Sequence, residues 1–227
     1  DDSAGGDFNR DGNRTRPAAG DWRWIRVHGE AAFEHVHFRY GGGTASGSWE
    51  GTGLLRVERD ARLTLRRCRI EEAFFDGVLG FGTVLLENTV LRGNDRALAV
   101  HAGSSRAVHC TLTDNRQGIQ IHGGALDLRN SIVAGSGEVG IVRDLGSPDP
   151  VVRSCLLWNP GAANGNTAGV PIPSSADGNL EADPKFADPA AGDLRLGFSS
   201  PGIDAADGGV APELDAREAP RFDDPRT

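Results

Sequence analysis

Methionine is absent from the 227 residues, tyrosine occurs once, and Lys185 is the only lysine among 24 basic residues. The missing methionine, at position 1 as elsewhere, is what a mature or excised piece of a longer product would show. No apolar run approaches the 18 residues that a membrane-spanning helix needs, and no signal-peptide pattern opens the sequence. A formal net charge of −8 leaves no general basic face for phosphate neutralisation, which argues against a nucleic-acid partner. The three cysteines include no Cys-x-x-Cys and no ordered Cys/His set, so they are expected as buried thiols and not as a metal or redox centre. Aromatics are few, with 9 Phe and 4 Trp against 32 Gly and 12 Pro, a mixture suited to many tight turns around a narrow aliphatic core. A glycine-rich β-sandwich shares that composition, but its strands require no fixed period.

A period is present. One phrase returns six times, as FEHVHF (33–38), LRRCRI (65–70), LLENTV (85–90), AVHCTL (107–112), DLRNSI (127–132) and VVRSCL (151–156). Its fourth letters, Val36, Cys68, Asn88, Cys110, Asn130 and Ser154, are 32, 20, 22, 20 and 24 residues apart. A second phrase follows at a steady offset in Gly77-Val78, Ala97-Leu98, Gly118-Ile119 and Gly140-Ile141. The apolar residues alternate over short spans broken by Gly, Asn and Asp, so each unit reads as three strands and three turns. Units of that size bury an apolar lumen only by stacking at roughly 4.8 Å per rung. The expected fold is all-β: a single-stranded parallel β-helix, right-handed by the rule for parallel connections. In this alignment Cys68 and Cys110 share a coil position two rungs apart, beyond disulfide reach, and Cys155 falls one residue out of phase. Asn88 and Asn130 form an amide ladder interrupted by Cys110.

A single domain is expected over 1–227, with a lead-in loop at 1–21, coils over 22–159, and a loop and closing segment packed on the helix over 160–227. In the lead-in, Asp7, Asn9, Asp11 and Asn13 alternate around Gly12 like the first half of a calcium loop, which points to Ca2+. The twelfth-position acid of a complete EF-hand is replaced by Ala18, so further ligands would come from elsewhere, and an Asx-turn loop without an ion fits the same spacing. An insertion at 41–53 carries Trp49 and Glu50 at its centre. The final stretch, 210–227, is expected to wrap back along the stack.

The coils resemble the right-handed parallel β-helix repeats of secreted and cell-surface bacterial proteins, pectate-lyase-like enzymes among them. The tail is similar to the closing segment of anchored β-helix surface proteins through Asn179-Leu180, Ala182-Asp183-Pro184, Gly192-Asp193, Leu194-Arg195-Leu196, Ser200-Pro201 and Ile203-Asp204-Ala205. That resemblance implies a bacterial, extracellular or cell-surface setting, and it implies no particular chemistry.

Two ladders hold the candidate chemistry. Lined up by coil, one reads His28, Glu58, a gap near Gly80 to Gly82, then His101, His122 and Asp144; imidazole and carboxylate on adjacent rungs could share a proton or hold a transition metal. The other reads Asp76, Asp95-Arg96, Arg116 and Glu138, where acids for glycoside hydrolysis or an arginine for β-elimination would sit. Both also suit a solvated face of alternating charge. Asp76, Asp95, Arg96, His101, Arg116 and His122 are therefore the catalytic candidates. The functional expectation is a noncatalytic extracellular β-helix module of stalk, adhesive or glycan-binding type, with a polysaccharide or surface glycan as partner. The alternative is a polysaccharide-active lyase or glycoside hydrolase.

Overall fold

Short runs of alternating aliphatic residues, each stopped by a polar corner, fold into six successive three-stranded coils. The computed structural model describes residues 10, 12, 14–43, 52–171 and 175–221. The first coil holds β1 (Ile25–Val27), β2 (Glu30–Glu34) and β3 (His37–Arg39), the second β4 (Gly53–Val57), β5 (Arg62–Arg66) and β6 (Arg69–Glu71). Then come β7 (Asp76–Gly80), β8 (Thr83–Glu87) and β9 (Val90–Arg92), followed by β10 (Arg96–Val100), β11 (Ser104–Val108) and β12 (Thr111–Thr113). The fifth coil is β13 (Gln117–Ile121), β14 (Ala125–Arg129) and β15 (Ile132–Ala134), and the sixth β16 (Val139–Arg143), β17 (Val151–Arg153) and β18 (Leu156–Trp158). A short β19 (Thr167–Ala168) adds a seventh strand to the first sheet. Three parallel sheets result: A from the first strand of each coil plus β19, B from the second strands and C from the third. The molecule is a right-handed, single-stranded parallel β-helix.

Register explains the core. Leu55, Val78, Leu98, Ile119 and Ile141 lie on adjacent rungs of sheet A and point into the lumen, as do Leu65, Leu86, Ala107 and Leu128 of sheet B and Ile70, Leu91, Leu112 and Val133 of sheet C. Each fully buried Leu or Ile contributes about 1.5–3 kcal/mol. The glycines of the second phrase mark close approach: a Cβ on Gly118 would sit 2.3 Å from the Gly140 carbonyl oxygen.

The corner between sheets B and C corrects the alignment of the first phrase. Sheet B register carries Glu34 through Arg66, Glu87, Val108 and Arg129 to Arg153, and sheet C register carries His37 through Arg69, Val90, Thr111 and Ile132 to Leu156. Two columns lie between them. The first is His35, Arg67, Asn88, His109, Asn130 and Ser154, all left-handed with φ of 49–55°. The second is Val36, Cys68, Thr89, Cys110, Ser131 and Cys155. Asn88 and Asn130 are thus separated by His109, not Cys110, and Cys155 stands in phase with the other cysteines. All three are buried free thiols, and burial pushes Cys110 and Cys155 up to about 12. Between them the hydroxyls cap the rungs: Ser131 Oγ accepts from Cys110 N at 3.1 Å and donates to Arg129 O at 2.7 Å.

An interior amide ladder does exist, at the next corner. Asn115 Oδ1 accepts from Asn94 N at 2.9 Å and from Asn94 Nδ2 at 3.0 Å, while Asn115 Nδ2 donates to Leu91 O at 3.0 Å. Asn159 Oδ1 accepts from Ser136 N at 2.8 Å farther along.

The B–C corner repeats once more at 177–180. Ser154 N donates to Asp177 O at 2.9 Å, Gly178 takes the left-handed position at φ 75°, Asn179 Oδ1 accepts from Cys155 N at 3.0 Å, and Leu180 bridges Leu156. A hairpin of β20 (Phe186–Asp188) and β21 (Asp193–Leu196) then lies outside sheet C, where Arg92 donates to Pro189 O at 2.8 Å. From about residue 204 the chain runs back toward the first coil as a strap over the left-handed column. Asn130 exchanges two hydrogen bonds with the Asp207 backbone (2.8 and 2.9 Å), Asn88 donates to Leu214 O at 3.1 Å and accepts from Arg221 at 2.7 Å, Arg67 donates to Asp215 O at 3.2 Å, and His35 meets Glu218 at 3.0 Å. Asn suits both demands of that column, since it tolerates αL and its amide reaches outward.

Candidate functional site

Sheet A turns three columns of side chains outward. On its first column Asp76, Arg96 and Gln117 occupy successive rungs. Arg96 Nε donates to Asp76 Oδ1, and its Nη1 donates to Gln120 Oε1 at 2.9 Å from the middle column. Asp76 is 1% exposed, and that burial pushes its carboxyl up to about 6 in spite of the guanidinium. The candidate acid ladder is therefore two columns. Asp76 aligns with Arg96, whereas Asp95 sits beside Arg116, which donates to Asp95 Oδ2 at 3.1 Å and also to Glu138 Oε2. Both neighbours raise the Arg116 pKa, chiefly through the Asp95 hydrogen bond.

The histidine column falls where the spacing placed it. His101 N donates to Gly80 O, His122 N to Val100 O and Asp144 N to Ile121 O, each at 2.9 Å, which sets the three on consecutive rungs. The gap in the ladder is Phe81. Its ring lies 5.0 Å from that of His101, and the His101 and His122 rings are 4.0 Å apart. Arg56 covers Phe81 at 4.7 Å and donates to Glu58 Oε1 at 2.7 Å. At the far end His122 Nδ1 meets Asp144 Oδ2 at 2.6 Å, while His122 Nε2 is buried and has no hydrogen-bond partner among the described residues. Burial, followed by the charges of His122, Arg96 and Arg56, pushes His101 down to about 4, so it is neutral at pH 7.

All six catalytic candidates thus share the outer side of one sheet. The structure joins Asp76 to Arg96, Asp95 to Arg116, and His101 to His122, but each of the two aspartates faces a guanidinium. Arg56, Phe81 and Gln120 belong to the same patch and escaped the sequence reading; Phe81 carried a signal, standing 20 residues before His101 and 23 after Glu58. Asp7, Asn9, Asp11 and Asn13, proposed for calcium, lie outside the described residues, as do Trp49 and Glu50. The insertion that carries those two leaves the coil at Gly43, which donates to Trp22 O at 3.1 Å, and rejoins it at Thr52, whose carbonyl accepts from the Asp76 amide at 3.4 Å.

Among the described residues one group has metal-ligand spacing: Glu34, His35 and Glu218, where the strap reaches the first coil, with ligand atoms within 4.8 Å of one another. All three are exposed and Arg67 already donates to Glu34, so the group is not distinctive of calcium. Among the described residues no helix is long and apolar enough to cross a membrane. Comparison of the chain with protein-family models, with curated proteins and with solved structures finds no match, so the fold and the geometry of sheet A are the grounds for any functional reading.

Proposed function

We propose that the chain is a noncatalytic β-helix module of the cell exterior, a stalk or adhesive domain that offers the outer side of sheet A to a surface glycan. One observation carries this reading: the acids of the candidate site are spent on neighbouring rungs, Asp76 on Arg96 and Asp95 on Arg116. Glycoside hydrolysis needs one carboxyl to donate a proton and a second to attack or to activate water, and a carboxylate pinned to a guanidinium is poorly placed for either. What remains suits binding. Phe81 and the two imidazoles form a row of rings, and Gln120, Glu58 and Asp144 beside them offer hydrogen bonds to hydroxyls. The proposal includes Ca2+ in the lead-in loop, tested by calcium titration of chelator-treated protein with melting temperature as readout.

The alternative, a polysaccharide-active enzyme, is favoured by the His122–Asp144 pair, which leaves Nε2 without a partner among the described residues, as an oriented general base would. Calorimetry and an assay of new reducing or unsaturated ends on acidic polysaccharides, run on one preparation, separate the two. Binding that weakens about tenfold in Phe81→Ala, with no new ends, is expected for the module. Turnover abolished by His122→Ala or Asp76→Asn would replace it with the enzyme.

A further inference from the structure

A second surface lies on a different flank. Among the described residues β21 pairs only with β20, so one of its edges carries no strand. Residues 192–196 all line an open groove of about 1120 Å³ between the hairpin and the strap. Successive strand residues point to opposite faces, so five in a row can line a groove only where the strand meets it along its backbone edge.

The direction of β21 follows from its neighbours. A Cβ on Gly192 would lie 3.2 Å from Arg92 Nη1, and one on Gly202 would lie 3.2 Å from Leu196 Cδ1 and 3.3 Å from Leu156 Cδ1. The strand therefore runs along the helix axis, from the rung of Arg92 to the rung of Leu156. Three rung spacings and four residue steps both come to about 14 Å. The floor is the outward column of sheet C, in which Val90, Thr111 and Ile132 are half-buried and Leu156 is buried. Branched aliphatics facing outward on a flank need a cover; Leu196 and Gly202 close over Leu156, while Val90, Thr111 and Ile132 keep part of their surface open. At one end Arg67, Arg69, Arg217 and Arg221 line it against Glu213 and Asp215; Arg67 is held by Glu34, Arg69 by Glu71 and Arg221 by Asn88, while Asp215 Oδ1 is occupied by the amides of Arg217 and Ala219, so that among the described residues the Arg217 guanidinium is the one left to meet an incoming acid.

We propose that this groove binds an extended segment of another protein, aliphatic at alternate residues and acidic at one end, which adds to the free edge of β21 as a third strand. Main-chain hydrogen bonds to β21 would supply affinity, the aliphatic floor would select alternate side chains, and the arginine end would set direction. This goes beyond the glycan reading and does not depend on it.

The test is fluorescence anisotropy with the full chain and a fluorescein-labelled heptapeptide that alternates valine and serine and ends in two glutamates. Saturable binding in the micromolar range is expected, weakened at least about tenfold when alternate peptide amides are N-methylated. Ile132→Glu should weaken it similarly, with unchanged circular dichroism and melting temperature showing that the variant is folded. The methylated peptide needs no change to the protein, so it decides even if that variant misfolds. No saturable binding, equal binding of the methylated peptide, or displacement of the peptide by polygalacturonate in place of unlabelled peptide would each overturn the proposal.

Discussion

Replacing Asn115 by alanine should be costly for a single polar truncation, because this amide serves two rungs at once. Its Oδ1 accepts from Asn94 N and Asn94 Nδ2, and its Nδ2 donates to Leu91 O and Thr113 O, all between 2.9 and 3.0 Å. Asn94 Nδ2 keeps a second acceptor in Ile70 O, and Thr113 O keeps the Gly93 amide as a donor. Asn94 N has no such reserve, and at 3% exposure water cannot replace the lost acceptor. One stranded donor costs about 1–3 kcal/mol, and loss of the remaining bonds about 1 kcal/mol more. The expected destabilisation is therefore about 3 kcal/mol, a large part of the roughly 5–15 kcal/mol typical of a domain. Urea unfolding would read it as a lower midpoint at unchanged slope. The double variant Asn94→Ala/Asn115→Ala should cost less than the sum of the single ones, since both changes remove the same Asn94 Nδ2–Asn115 Oδ1 bond, which the double variant loses only once. A loss below about 1 kcal/mol for Asn115→Ala, or strict additivity of the pair, would refute the ladder as a shared structure.

Ser105 points into the aliphatic lumen between Val84 and Leu126 with its buried Oγ unpaired among the described residues, so Ser105→Ala should stabilise the chain by about 1 kcal/mol in the same assay. Burial would raise the Glu71 carboxyl, but His37 and Arg69 outweigh it and hold it at about 2; its contribution is present above the unfolded value of 4.5 and is lost as pH falls through 2, so Glu71→Gln should flatten that part of the melting profile. Asp76 has the opposite sign: raised from 3.8 to about 6, it contributes stability that is full below 3.8 and lost as pH rises through 6, and the Asp76→Asn variant should lack that loss. Asn88→Ala should open the strap to limited proteolysis and destabilise by about 2 kcal/mol, whereas Asn88→Gly, free of the left-handed penalty at φ 49°, should keep the strap loose at a smaller cost.

The coil was legible because the lumen imposes a strict demand: Val78, Leu98, Ile119 and Ile141 each need an aliphatic side chain on the same rung position, and the column of His101, His122 and Asp144 follows at a fixed offset. The one-residue slip at the B–C corner has a physical origin. Two adjacent columns both select small or polar residues, one because αL favours Asn, the other because only Cys, Ser, Thr or Val fits the bend beside the lumen. Spelling alone cannot separate Asn88 from Cys110. Phe81 was missed because it is an aromatic in an otherwise polar column, and Arg56 and Gln120 because their role comes from facing neighbours two columns away. The strap's path was foreseeable from its thin apolar content, but not the column that receives it, since Asn88, Asn130 and Arg67 reveal no partner until residues more than 70 positions away fold onto them.

A stack of coils is a one-dimensional array, in which each unit touches only its neighbours and either end can fray alone. The strap changes that arithmetic. Glu218 reaches His35 across 183 positions of sequence, so the strap is a splint laid beside the rod from its fifth coil to its first. Unzipping from either end must strip the splint along with the coil, and tension along the rod is shared between the strand ladders and the strap's side-chain bonds in shear. Under load, that is the difference between a spring that lengthens rung by rung and a strut that holds until it fails as a whole.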